Sequence, residues 1–328
     1  MKNVNYISII FVLFFYACKK ENLKQDLIAP AVSSTPETSL TSSQSWAPIA
    51  PFGGGQRAFA VSFSIGDKAY IASGSDRTGT GGLYEYSSKS NCWTLKSSFN
   101  GIQRIGAVGF SIGKKGYIGL GSGKKDFWEY GPSKDLWTKK SDFPGGNRFA
   151  AVGFSIGNKG YVGTGNINSA PFNNDFWEYD PSTDKWTKKA DFPGSPRFAA
   201  TGISINNKGY LGFGIDENTE GLRDFYEYNP LQDSWTRKKD ISGFGRAFSS
   251  GYSIENKGYV GGGYSPLAIE FIGYLKDFWQ YNQATDAWNQ LPNLPGVGRQ
   301  APVGFSIGNK GIHPLQASTI TSPDIVTF

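Results

Sequence analysis

The residues best suited to chemistry are scarce in this chain. It holds one histidine, His313, and two cysteines, Cys18 and Cys92. With a single imidazole, lodged in an irregular tail, histidine-based metal, triad and acid–base chemistry is nearly excluded. No catalytic residue, metal or cofactor is therefore expected. The carboxylates Glu85, Glu129, Glu178 and Glu227 recur in register and read as parts of a repeat. Asp216, Glu217, Glu220 and Glu270 have no such counterparts. They could hold a sugar or a cation, but solvated loop charge is the plainer reading. Arginine remains. Arg57, Arg104, Arg148, Arg197, Arg246 and Arg299 follow one another at intervals of 47, 44, 49, 49 and 53 residues. A guanidinium offers a rigid fork that grips a carboxylate bidentately. Six of them could line a positive pocket for an anionic group, or could hold loop carbonyls and carboxylates in place. Their regularity favours the structural role, and all six stand as candidate binding residues.

Those arginines each open a repeat. From Arg148 the chain reads Phe-Ala-Ala-Val-Gly-Phe-Ser-Ile, a Gly157-Asn-Lys-Gly160 turn and Tyr161 to Gly165. After a loop come Asp175-Phe-Trp-Glu-Tyr, an Asp180-Pro turn and a run around Trp186. Self-similarity at this period marks a propeller blade or a solenoid unit. Val152, Phe154 and Ile156 alternate with Ala151, Gly153 and Ser155, the two-residue period of a strand. One large face and one small face suit strands crowded near an axis, where bulk from one sheet fills space left by the next. Four short strands per unit and no helical stretch predict an all-β propeller.

The pattern resembles the kelch repeat family of β-propellers. The matching residues are a glycine closing the second strand (Gly74, Gly121, Gly165, Gly214, Gly263) and a tryptophan in the fourth. Those tryptophans are Trp46, Trp93, Trp137, Trp186, Trp235 and Trp288. The usual double glycine is mostly reduced to Gly-x-Gly. Trp46 has the context of a blade end with no blade before it, whereas the unit from Arg299 begins and does not finish. A six-bladed kelch-type propeller over residues 46–328 follows, with five complete blades and one closed by N- and C-terminal strands, which removes free sheet edges. That last blade is degenerate. Ile312-His-Pro stands where Tyr-Val-Gly is expected, Pro314 falls inside a paired strand, and only Asp324 to Phe328 could imitate a third strand.

Residues 1–17, with Lys2 and an apolar run from Tyr6 to Ala17, have the layout of a signal peptide. Ala17-Cys18 resembles a bacterial lipoprotein processing site, which implies lipid attachment at Cys18 and residence in the cell envelope. With Cys18 acylated, no disulfide is expected for Cys92. Residues 18–45, rich in Ser, Thr and Pro, read as a disordered tether. The net charge of +6 comes with lysines repeated in the first hairpins rather than gathered with stacking aromatics, so no nucleic-acid partner is expected.

Because strands alternate in direction, the arginine segments and the loops between strands two and three share one end of the propeller. Those loops vary in length from blade to blade, and variable loops on a rigid scaffold are where binding usually resides. The expected function is that of a surface-anchored, noncatalytic, monomeric propeller binding a glycan or protein partner. The alternative is a carbohydrate-active enzyme such as a sialic acid mutarotase, which in some bacteria is a six-bladed kelch propeller.

Overall fold

The fold is built from one packing rule applied around a circle. In strand one of blade three, Val152–Ile156, the buried Val152 and Phe154 lie against blade four at Gly202 and Gly209, where a Cβ would land inside those side chains. Val61 and Phe63 meet Gly109 and Gly116 in the same way, and Val108 and Phe110 meet Gly153 and Gly160. In blades two to six a glycine pair is thus the groove for the preceding blade's bulk, with Ser62 and Ala69 in its place in blade one. Glycine suits those five blades because their sheets approach too closely for a Cβ. Gly202→Ala is expected to cost roughly 1–3 kcal/mol through overpacking, measured as a lowered urea midpoint. Gly53→Ala, with open space around it, should leave the midpoint unchanged.

The computed structural model describes residues 46–55, 57–75, 82–98, 103–166, 172–218, 221–268, 273–314 and 325–327. Among them there is no helix, and the strands form six four-stranded antiparallel sheets. Blade one comprises Val61–Ile65, Lys68–Ala72, Tyr84–Ser87 and Cys92–Leu95. Blades two, three, four and five begin with strands at Val108–Ile112, Val152–Ile156, Thr201–Ile205 and Ser250–Ile254, and each runs through its four strands in sequence order. The innermost strands contact one another in a closed cycle. This is an all-β propeller of five full blades and a smaller sixth sheet.

The sixth sheet contains both ends of the domain. Phe305–Ile307, Lys310–Pro314, Ile325–Thr327 and Ala47–Ile49 lie side by side from the axis outward. Ala47 pairs with Thr327 and Ile49 with Ile325. Pro314 does lie in a strand, at its end and opposite Ile325, where a missing N–H does least harm to a ladder. Trp46 performs the task of a fourth-strand tryptophan. In blades three, four and five, Trp186, Trp235 and Trp288 pack edge-to-face against Phe127, Phe176 and Phe225 of the preceding blade, with ring centroids 4.9–5.0 Å apart. Trp46 stacks on Phe278 at 5.2 Å, and its indole N–H donates to the Pro292 carbonyl at 3.4 Å. Trp186 donates likewise to Ser141 at 3.0 Å. The ring is closed by residues far apart in sequence.

The recurring third-strand glutamates are structural. Glu85, Glu129, Glu178 and Glu227 accept from the hydroxyls of Tyr70, Tyr117, Tyr161 and Tyr210 at 2.6–2.8 Å. Burial, then the bond to the carboxylate, pushes each of these phenols well above its ordinary pKa. The expectation that Cys92 forms no disulfide turns on Cys18, which lies outside the described residues.

Candidate binding face

The arginine segments and the loops between strands two and three do share one end, joined by bridges such as Phe149 to Asn166, Phe198 to Ile215 and Ala247 to Tyr264. The guanidiniums lie beneath that face. Arg104, Arg148, Arg197 and Arg246 are at most 2% exposed, and each grips the aspartate that opens strand three of its own blade. Arg148 donates from both terminal nitrogens to the two oxygens of Asp175 at 2.7 Å, and also to the carbonyls of Thr164 (2.8 Å) and Gly145 (2.6 Å). Arg104 takes Asp126, Arg197 takes Asp224 and Arg246 takes Asp277 in the same bidentate manner. The indole N–H groups of Trp128, Trp177 and Trp279 donate to three of these carboxylates. Burial raises the pKa of Asp126, but the bonds from Arg104 and Trp128 outweigh it and hold the carboxyl below the usual carboxylate range. The result is a repeated buried clamp that ties blade entry to strand three.

Blade one departs from this pattern, and in blade six the residue before strand three, Asp324, lies outside the described residues. Blade one has Gly82 where the others have the clamp aspartate, and Arg57 donates to the carbonyls of Gly82 (2.8 Å), Ser73 (3.2 Å) and Gly54 (3.1 Å), lying over Tyr84. Arg299 has no ion pair with any described carboxylate. Among the described residues it donates to the Pro295 carbonyl at 3.1 Å, and its buried Nε, like that of Arg148, has no partner there.

At the axis, two residues past each arginine, the backbone turns left-handed in all six blades: Phe59, Gly106, Ala150, Ala199, Phe248 and Ala301 have φ between 50° and 63°. Five of the six are not glycine, an uncommon and costly choice for L-residues. Four hydrogen bonds running from blade to blade along an arc offset the strain. Ala150 donates its N–H to the Gly106 carbonyl (2.8 Å), Ala199 to Ala150 (2.9 Å), Phe248 to Ala199 (2.9 Å) and Ala301 to Phe248 (3.0 Å). The small residues beside this arc leave a cavity of about 150 Å³ at the mouth, rimmed by Phe59 and Phe248. A second, of about 190 Å³, runs deeper between glycines and the residues Ser62, Thr201, Ser249 and Ser250. No charged side chain lines either one. Aromatic rings bridge the mouth: Phe59 on Phe248 (5.2 Å), Phe248 on Phe198 (5.9 Å), and Phe198 on Phe172 (5.1 Å). The sequence reading does not single out these half-buried phenylalanines, although the Arg197-Phe pair displays one of them, Phe198.

Of the unmatched loop carboxylates, Asp216 is partly exposed and Glu217 exposed, while Glu220 and Glu270 lie outside the described residues. So do Cys18 and the whole of residues 1–45. His313 is fully buried in the closing sheet, among Tyr252, Phe278 and Trp46. Among the described residues no group of histidine, cysteine and carboxylate side chains could hold a metal ion.

No family model matches the chain, and no curated protein is detectably similar to it in sequence. Among solved structures, the one described as "Structure of YjhT" is similar, with a TM-score of 0.67 and 19% identity over 84% of this chain and 94% of that one. At that identity the likeness shows the fold, a β-propeller, and nothing finer.

Proposed function

We propose that this chain is a kelch-type propeller that binds a glycan or protein partner on its variable-loop face without transforming it. The observation carrying this reading is the axial mouth: an aromatic rim over an uncharged cavity, on the end of the propeller whose loops vary in length from blade to blade. Aromatic rings supply large, rigid contact area at low entropic cost. The buried arginines support the rim from below, and the proton-transfer groups that an enzyme would need at this mouth are missing from its described lining. Glycan and protein arrays probed with the full chain test the reading, beside sugar-anomer exchange followed by NMR. Capture without exchange is the expected outcome. Accelerated exchange of sialic acid anomers would instead support the mutarotase reading.

The proposed address is the bacterial cell envelope, with the mature chain acylated at Cys18 and the propeller monomeric. The motivation is the apolar run ending at Ala17-Cys18. Cys18 is the chain's one cysteine besides Cys92, and its acylation and its use in a disulfide exclude each other. Intact mass with and without reductant decides. Diacylglycerol mass on the mature N-terminus is expected, and an unmodified N-terminus beyond residue 18 overturns the assignment.

A further inference from the structure

We propose that the seam between blades five and six holds a polar subsite of the axial cavity, built from Ser250, Tyr252 and His313, that binds a neutral hydroxyl group. Solvent supplies that group in the free protein, and a sugar or polyol entering the mouth replaces it with a hydroxyl of its own. This deepens the binding reading above and rests on it for the class of ligand.

The equivalent seams are apolar. At each, the first and third residues of strand one cluster with an aliphatic residue from the second strand of the next blade. Val61 and Phe63 cluster with Ile118, Val108 and Phe110 with Val162, Val152 and Phe154 with Leu211, and Val303 and Phe305 with Ile71. Between blades five and six the same three places hold Ser250, Tyr252 and His313. All three are buried, at 5%, 7% and 1% exposure. Among the described residues, Ser250 Oγ, the Tyr252 hydroxyl and both ring nitrogens of His313 have no hydrogen-bond partner. One blade earlier Thr201 occupies the place of Ser250, and its hydroxyl is bonded to that of Ser249 at 2.6 Å. Buried polar groups in folded proteins pair with protein or with ordered water, and leaving one unpaired is costly. Four such atoms at a single seam mark a place that receives a polar partner.

The subsite adjoins the deeper axial cavity of about 190 Å³, which Ser250 and Gly304 help to line. Gly304 stands at the junction: a Cβ there would fall against Ser250 Oγ and lie 3.2 Å from His313 Nδ1. Its missing side chain leaves the junction open. The Tyr252 ring lies 5.2 Å from the imidazole, centroid to centroid, with its hydroxyl against Gly311. Burial, then the charge of Arg299, lowers the His313 pKa to about 3, and burial raises that of Tyr252, so both are neutral at neutral pH. A neutral imidazole offers one donor and one acceptor, and each hydroxyl can serve as either. The complementary group also donates and accepts and carries no charge. A hydroxyl meets that description, whereas a carboxylate only accepts and an ammonium only donates.

The test uses the full chain at neutral pH, free of any histidine tag, and nitrogen NMR of the imidazole, whose signal is unique because His313 is the one histidine. Its acceptor nitrogen reports directly whether it receives a hydrogen bond. Magnetisation transfer from water to the ring is expected in the parent. Glycerol and glucose should shift the ring nitrogen saturably, and dimethoxyethane, which has no hydroxyl, should not. Ser250→Val restores the residue of blades one to three, and Ser250→Ala removes the hydroxyl without adding bulk. Each should weaken the glycerol response about fivefold or more, the loss of one hydrogen bond, and urea midpoints no lower than the parent's establish that both remain folded. Water contact without a polyol shift assigns the seat to solvent, and a polyol shift without water contact assigns it to the ligand. Neither signal in the parent overturns the proposal, as does an equal response to dimethoxyethane or in the Ser250 variants. An array ligand captured while the imidazole stays silent removes the subsite and leaves the binding reading standing.

Discussion

Asp175→Ala is expected to destabilise the propeller by about 3–5 kcal/mol, the cost of leaving a buried charge behind when its partner is removed. Arg148 is 2% exposed and donates four hydrogen bonds, two of them to Asp175. In the variant its charge keeps two carbonyls and loses its only counterion. The Trp177 indole loses its acceptor at the same time. Urea denaturation measures the effect as a shifted midpoint at nearly constant m. Arg148→Ala combined with Arg197→Ala should likewise unfold the chain more readily before it affects any ligand. A loss below about 1 kcal/mol for Asp175→Ala would place this pair with solvated surface ion pairs and remove the clamp from the account.

The next largest effect is one of pH. His313 sits where the repeat places an apolar residue: Ile312 pairs with Phe305 as Tyr161 pairs with Phe154, so His313 takes the position of Val162. Burial, with a further contribution from the charge of Arg299, lowers its pKa to about 3. The facing groups are Tyr252, held neutral by burial, Arg299, and the uncharged rings of Trp46 and Phe278. An unfolded chain has an ordinary histidine pKa of about 6.5. The folded value lies below it, so the stability is whole above pH 6.5 and falls as pH drops toward 3. The slope is about 1.4 kcal/mol per pH unit, because only the unfolded state takes up the proton. Carboxylates held low by hydrogen bonds, such as Asp135, Asp184 and Asp233, add their own acid sensitivity. The histidine share is therefore the difference between parent and His313→Val, which should diverge below pH 6.5 and run parallel above it. Parallel curves throughout would show that His313 is solvated in the folded protein.

Architecture was legible in the sequence because a propeller writes each blade out in full. The alternation at Val152 to Ile156 gave the sheet faces, and the unattached Trp46 beside an unfinished final unit gave the closure. The pairing of Arg148 with Asp175 was not legible, since the two lie 27 residues apart and only the course of strands one to three brings them together. Both were quoted as repeat marks without being joined. The left-handed turn at Ala150 was hidden for a different reason. Nothing in an alanine announces positive φ, and there the arc of backbone bonds between blades overrides local preference. The hairpin lysines show a smaller shift. Expected to keep turns solvated, they begin the second strands, and Lys68, Lys115 and Lys159 pair with Glu85, Glu129 and Asp180.

The central claim is that ligand binds at the aromatic mouth, over arginines that serve the scaffold. It is tested most directly by the affinity of whichever array ligand is captured, measured for the parent, for Phe198→Ala with Phe248→Ala, and for Leu231→Ser. Leu231 is 95% exposed in a turn between strands three and four, at the opposite end of the propeller. The account predicts that the double phenylalanine variant loses about tenfold or more in affinity, as expected when central aromatic anchors are truncated, while Leu231→Ser binds like the parent. Unchanged binding by the phenylalanine variant, or loss on changing Leu231, would contradict it.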